Sequence, residues 1–186
     1  MRHSQKSAPQ VNAGSMADIA FLLLIFFLVT TTISADKGIN RKLPYHCPPG
    51  TDCTLEINER NILRIVLNSK NELMVDGEIT KIEDLKAITK VFLDNNGNGS
   101  CTYCNGTSIV SLSDHPKDAV ISLSTSENSN YATFIAIQDE LSKAYYELRE
   151  VYGYSVFGKS PDKLNASEII EIKQAYPFIL SEADTK

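Results

Sequence analysis

The pattern of polar and apolar positions is most distinctive near the N-terminus. Every residue of Ile19–Val29 is apolar, and no charged residue follows until Asp36. Over residues 13–35 the one charged side chain is that of Asp18. Because a helix rises about 1.5 Å per residue, a helix of this length can cross a hydrocarbon core of about 30 Å. The pattern therefore predicts a single transmembrane helix over residues 13–35.

Two other interpretations of the apolar run stay open. A cleaved signal peptide would have Leu22–Val29 as its hydrophobic core, with small residues near Ser34 and Ala35 at the cleavage site. Only Arg2 and Lys6 supply basic side chains before the run, which disfavours this interpretation. A buried helix of a soluble protein is disfavoured as well, because the run is apolar on every face.

Asp18 also has two interpretations. Ser15-Met-Ala-Asp18 fits a capping pattern, in which the acid satisfies free N–H groups in the first turn of the helix. Alternatively the acid has a function, because a carboxylate at the centre of a membrane helix costs about 2.5–3.5 kcal/mol to insert. That cost is smaller near a helix end, so the residues alone leave both interpretations open.

Beyond residue 36 the sequence changes to short stretches rich in Ile, Leu and Val and to amphipathic helical stretches. The predicted elements are strands over 61–68 and 72–75, a helix from a capping box at Thr80–Glu83 to Asn95, a strand Ala119–Ser124, a long helix Tyr131–Tyr152 capped by Asn130 and ended by Gly153, a helix Ala166–Tyr176 and an edge strand Phe178–Ser181. This order predicts an α+β domain with helices packed on a mixed β-sheet.

Charge and motif content narrow the function. The formal net charge is −5 and no basic stripe is present, whereas nucleic-acid binding needs clustered Lys and Arg. No nucleophile elbow or other catalytic spacing occurs. We therefore expect no nucleic-acid partner, no enzyme activity and no cofactor.

The four cysteines form two close pairs, Cys47 with Cys53 and Cys101 with Cys104. An even, paired count is typical of an oxidising compartment and predicts two local disulfides. A four-cysteine zinc site stays open as an alternative, although the longer spacing of the first pair fits it poorly. A thioredoxin-like site is not expected, since no strand-to-helix junction surrounds the second pair.

Asp94–Gly99 matches the first half of a calcium-binding loop. The twelfth position, which should supply a bidentate acid, is Asn105. We therefore expect a flexible Gly/Asn turn there and no metal site.

The segment Asn12–Thr31 resembles the membrane segment of the ExbD/TolR family. That family carries an Asn six residues before a single membrane Asp, followed by an unbroken Leu/Ile/Phe run, and here Asn12 and Asp18 occupy those positions. Leu43-Pro44 is similar to the Leu-Pro that ends the periplasmic linker of the family. The resemblance is strong over residues 11–44 and is one of pattern beyond them.

The resemblance implies an energy transducer of the bacterial inner membrane, driven by the proton-motive force, with Asp18 as the proton-carrying group. Asn12 would be a supporting polar residue. Thr30 and Thr31 would either offer polar contacts at the far end of the helix or bond to their own helix backbone. It also implies a homodimer threaded through a ring of ExbB-like subunits, which passes its movement to a TonB-like protein that opens outer-membrane receptors. A TolR-like subunit of a Tol–Pal envelope system stays open, as does a membrane-tethered binding domain with no proton role.

The implied organisation is a cytoplasmic tail, a membrane helix, a linker with a cysteine-bearing loop, and a periplasmic α+β domain, over residues 1–12, 13–35, 36–60 and 61–186. This chain departs from the family pattern at the loop 45–54, at a cysteine-bearing insert 95–113, and at a C-terminal extension 155–186. Ser124-Thr125-Ser126 also stand where the family often has an Asp. These departures disfavour a standard periplasmic contact surface for the downstream partner.

Overall fold

The structure, a computed structural model, describes residues 12–31 and 57–185. These residues fall in two compact units, Met1–Asp52 and Cys53–Lys186. In the first unit the described element is helix α1, Ala13–Thr30. Its 18 residues correspond to a length of about 27 Å, and all its side chains are exposed. Among the described residues α1 is the one helix long and apolar enough to span a membrane. The predicted continuation over residues 32–35 lies outside the described residues.

The second unit contains a five-stranded sheet and three helices. Its elements are β1 Ile62–Leu67, β2 Leu73–Val75, β3 Glu78–Thr80, α2 Ile82–Leu93, β4 Val120–Ser126, α3 Tyr131–Phe157, α4 Ala166–Ala175 and β5 Leu180–Thr185, with short 3₁₀ turns at Glu59–Asn61 and Pro161–Lys163. The strand order is β3-β2-β1-β4-β5. β2 pairs antiparallel with both of its neighbours, whereas β4 lies parallel to β1 and to β5.

Helical crossovers explain the parallel pairs, because parallel neighbours cannot be joined by a tight turn. The connection from β1 to β4 includes α2, and the connection from β4 to β5 includes α3 and α4. The sheet buries one face under α2 and α3, and alternate strand residues contribute to it. The core includes Leu63, Ile65, Leu67, Ile121 and Leu123 from the sheet, with Leu85, Leu93, Ile137, Leu141 and Tyr145 from the helices. The predicted α+β class with helices on a mixed sheet is confirmed.

Two predicted helix boundaries are wrong. Gly153 does not end α3, which continues to Phe157 and ends at Gly158 in the left-handed conformation with φ 62°. Gly153 lies where α3 meets α4, and a Cβ atom there would be 3.3 Å from Ile172 Cδ1. Its missing side chain therefore serves close helix packing.

The predicted capping box at Thr80–Glu83 is also wrong. The N-cap residue of α2 is Lys81, and the Thr80 hydroxyl donates to the carbonyl oxygen of Glu78 at 3.2 Å. Thr80 is the last residue of β3 and therefore lies one residue before the N-cap position. The sequence patterns did not predict this strand.

The predicted C-terminal edge strand exists but lies further along the chain. β5 spans Leu180–Thr185 and pairs with β4 from Ile121 to Ser126. The extension therefore belongs to the sheet itself, and Ser124-Thr125-Ser126 lie inside β4 beside β5.

Candidate functional site

Asp18 is the sixth residue of α1, about 8 Å along the axis from the first residue. It therefore lies in the second turn, at the start of the unbroken apolar run. Its side chain is exposed, and no described residue donates a hydrogen bond to its carboxylate. The helix thus presents a single carboxylate on an otherwise uncharged surface.

The cap of α1 is Asn12, which removes the capping interpretation of Asp18. The Asn12 side-chain oxygen accepts a hydrogen bond from the backbone N–H of Gly14 at 3.0 Å. The free N–H groups of a helix belong to its first turn, and Asp18 lies beyond that turn. The Ser15–Asp18 capping box is therefore not formed, and Asp18 has no local structural task in the helix.

Thr30 and Thr31, at the other end of α1, bond to their own helix. The Thr30 hydroxyl donates to Phe26 O at 2.7 Å, and the Thr31 hydroxyl approaches Leu28 O at 3.4 Å. Such back-bonding satisfies a hydroxyl in an apolar environment. In the structure these two groups therefore support the end of the helix.

Three alanines of α1 lie on a different face from Asp18. Since each helical residue turns by about 100°, Ala13, Ala17 and Ala20 are centred about 130° around the axis from Asp18. Small residues let membrane helices approach each other closely. The helix can therefore contact one neighbour through the alanine face and present its carboxylate to another.

The family model described as biopolymer transport protein ExbD/TolR matches residues 4–150. This range contains α1 with Asp18, the strands β1 to β4, and most of α3. The chain belongs to the ExbD/TolR family. Members of this family act generally as energy transducers in biopolymer transport and are not enzymes in general. They work with ExbB- or TolQ-like and TonB- or TolA-like partners in membrane complexes. No curated protein sequence matches the chain.

In this ExbD/TolR family member the match ends inside α3, so α4 and β5 lie beyond it. The cysteine-bearing insert lies within the matched range. Cys101 and Cys104 are joined in a disulfide, so they are not available there as thiolate ligands for zinc. Cys47 and Cys53 lie outside the described residues.

The structure has a turn at the predicted Gly/Asn segment, and side-chain hydrogen bonds hold it. Asp94 accepts from the hydroxyl of Tyr176 at 2.6 Å and from the backbone N–H of Asn105 at 3.1 Å. The Asn96 side-chain oxygen accepts from Cys101 N at 2.9 Å, and that of Asn98 from Ser100 N at 2.9 Å. The side-chain oxygen atoms that match the calcium-binding pattern therefore accept hydrogen bonds from the protein itself.

A cluster of tyrosines links the insert to the C-terminal extension. Tyr103 makes edge-to-face contacts with Tyr152, Tyr176 and His115, at centroid distances of 5.0, 5.5 and 5.9 Å. Burial, with the nearby Tyr152 and Asp94, raises the pKa of Tyr103 to about 12. Burial and the hydrogen bond to Asp94 also raise the pKa of Tyr176. The cluster stays neutral at physiological pH and is held by packing and hydrogen bonds.

Sequence reasoning missed this cluster. Tyr103 lies in the insert, Tyr152 in α3 and Tyr176 at the end of α4, so no periodicity connects them. The one available signal is that the insert 95–113 and the extension 155–186 both carry aromatic residues, which does not by itself indicate a contact.

Proposed function

We propose that this chain is the ExbD-like subunit of an inner-membrane complex driven by the proton-motive force, and that Asp18 carries the proton. The observation that supports the proposal is the position of the carboxylate. It is the one charge in an apolar 18-residue helix, and the cap of that helix is supplied by Asn12 instead. An acid kept inside a membrane segment without a structural task is a functional group by default.

The chemistry follows from the cost of desolvating a charge. When Asp18 faces a dry contact between helices, the neutral acid is favoured, because burial disfavours the ionised form. When it faces a site open to water, the ionised form is favoured. Transfer of a proton therefore changes which position the helix prefers, and one elementary charge crossing the membrane supplies about 2.3 kcal/mol per 100 mV.

The two faces of α1 fit an assembly with two kinds of neighbour. In the proposed arrangement the face with Ala13, Ala17 and Ala20 packs against the same helix of a second copy. The Asp18 face is then directed to a surrounding ring of ExbB-like subunits. In this proposal Thr30 and Thr31, whose hydroxyls bond to carbonyl groups of their own helix, support the end of α1. Asp18 carries the proton.

The proposed orientation has residues 1–12 in the cytoplasm and the folded domain in the periplasm. The disulfide between Cys101 and Cys104 supports this orientation, since disulfides persist in oxidising compartments. The movement of α1 would pass through the linker 36–60 to the domain, and from there to a TonB-like protein. The proposed reaction is energy transfer without catalysis of a chemical step on a substrate.

The test is replacement of Asp18 in a strain that lacks the chromosomal copy. Asp18→Asn keeps the size and polarity of the side chain but cannot release a proton at physiological pH. We expect this variant to co-purify with the ExbB-like subunit in normal amount, and to lose uptake through outer-membrane receptors. Asp18→Glu, the matched control, keeps the carboxyl group and should retain part of the uptake.

Normal uptake together with an intact envelope in the Asp18→Asn strain would refute the proton-carrying role. The same strain distinguishes an ExbD-like role in receptor-dependent uptake from a TolR-like role in envelope integrity. Loss of receptor-dependent uptake with an intact envelope supports the ExbD-like assignment. Normal uptake accompanied by detergent sensitivity would replace it with a TolR-like one.

A further inference from the structure

The insert and the C-terminal extension contact each other through a residue inside the disulfide-closed loop. Tyr103 lies between Cys101 and Cys104, and its hydroxyl donates to the backbone oxygen of Ala175, the last residue of α4, at 2.8 Å. Its aromatic ring packs on Tyr176. The loop therefore holds the point where α4 ends and the chain turns toward β5.

A second contact joins the same two segments. The Tyr176 hydroxyl donates to Asp94, which follows the last residue of α2, and the other oxygen of Asp94 accepts from Asn105 just after the loop. Cys101 on the other side of the loop is held by Asn96. Both ends of the loop are thus anchored beside α2, and the disulfide closes the loop over the two residues between the cysteines.

The two cysteines differ in exposure, since Cys101 is 6% exposed and Cys104 is partly exposed. We therefore expect a thiolate from solvent to attack the disulfide at Cys104. Both cysteines lie in the matched part of the chain, but α4 and β5 lie beyond it, so this contact joins the matched part to the C-terminal extension.

We infer that the Cys101–Cys104 loop is a redox-sensitive clasp, which steadies the junction between α4 and β5 through Tyr103 and loosens that junction when the disulfide is reduced. The reductant is a dithiol. One of its thiolates bonds to the Cys104 sulfur and displaces the Cys101 thiolate, which takes up a proton. The second thiol then closes a disulfide within the reductant, and Cys104 leaves as a thiol.

The test is amide hydrogen exchange of the full chain in detergent micelles, with and without dithiothreitol. A background of Cys47→Ser with Cys53→Ser leaves Cys101 and Cys104 as the one pair that can be reduced. We expect reduction to speed exchange in peptides from residues 166–180 by about tenfold, since the lost contacts include a hydrogen bond and an edge-to-face aromatic pair. Peptides from β1 and α2 should exchange at an unchanged rate.

Substitutions of Tyr103 test whether the faster exchange comes from loss of the Tyr103 contacts or from a general effect of reduction on the domain. With the disulfide intact, Tyr103→Ala should reproduce the faster exchange of residues 166–180. Tyr103→Phe, which loses only the hydrogen bond to Ala175, should give a smaller increase of about fivefold. Tyr154→Phe is the matched control, because Tyr154 is half exposed and outside the cluster.

Three results would overturn the inference. One is exchange in residues 166–180 that changes less than twofold on reduction. Another is acceleration confined to residues 95–113, which would show that the extension is held independently. The third is equal acceleration throughout β1, α2 and the extension, which would mean that the disulfide stabilises the whole domain.

Discussion

Glu147 of α3 is the ionic connection between the two helices that cover the sheet. Its two carboxylate oxygens accept from the ammonium groups of Lys86 and Lys90 on α2, each at 2.7 Å. Glu147→Gln keeps the shape of the side chain and removes its charge. The replacement therefore measures what the two ion pairs contribute to the packing of α2 on α3.

The expected magnitude is modest because the site is partly open to water. The Glu147 side chain is 36% exposed, and an exposed ion pair contributes about 0.2–1 kcal/mol after solvent screening. Two such pairs that share one carboxylate should together stabilise the fold by about 1 kcal/mol. We expect Glu147→Gln to lower the free energy of unfolding by that amount at pH 7.

The pH dependence has a definite sign. Hydrogen bonds from Lys86 and Lys90 lower the pKa of Glu147 from 4.5 to about 2. A carboxyl group whose pKa is lower in the folded state stabilises that state once the unfolded chain is ionised, above about pH 4.5. The stabilisation is lost as the pH falls from 4.5 towards 2, so the two proteins should converge in that range.

Urea unfolding of the full chain in detergent, followed by tyrosine circular dichroism, measures the difference at several pH values. Glu150→Gln is the matched control, because Glu150 lies on the same helix and forms no ion pair with a described residue. It should unfold as the unsubstituted protein does. Equal stability of Glu147→Gln and the unsubstituted protein at pH 7, or a difference that persists unchanged at pH 2.5, would refute the reasoning.

Two further substitutions test the packing of the insert and the hydrogen bonds of Asn61, which directly precedes β1. Gly106→Ala places a Cβ atom 2.2 Å from Asp94 O, so we expect a loss of about 1–3 kcal/mol in unfolding free energy. The exposed Thr102→Ala should lose little, and a stable Gly106→Ala would contradict the packing described. The side-chain amide of Asn61 donates to the Asp114 carboxylate and accepts from the Asp114 backbone N–H. We expect Asn61→Ala to lower the free energy of unfolding by about 1–3 kcal/mol, measured by thermal unfolding. The exposed Asn58→Ala is its control, and equal melting of the two variants would argue against this role of Asn61.

The parts of the fold with a local signal could be predicted from the sequence. The apolar run predicted α1 and placed Asp18 in it, because hydrophobicity over 18 residues needs no tertiary context. The Ile, Leu and Val content of residues 61–68 predicted β1, whose inward residues Leu63, Ile65 and Leu67 are buried. The local sequence is sufficient to predict both elements.

Features that depend on contacts between distant residues could not be predicted in this way. Gly153 resembled a helix end, but it is needed for the approach of Ile172 from α4. Thr80 resembled a cap, but it is held by β3. Tyr103 had no role until the fold brought it to Ala175, 72 residues away. In each case a tertiary contact overrode a local preference.

Proton flux through the assembled complex tests the central claim most directly. The chain and its cognate ExbB-like subunit would be reconstituted in liposomes that contain a pH-sensitive dye, and a potential would be imposed across the membrane. We predict that Asp18→Asn reduces the flux to that of protein-free liposomes, although the complex assembles normally, and that Asp18→Glu retains flux. Flux through Asp18→Asn at the rate of the unsubstituted complex would contradict the proton-carrying role of Asp18.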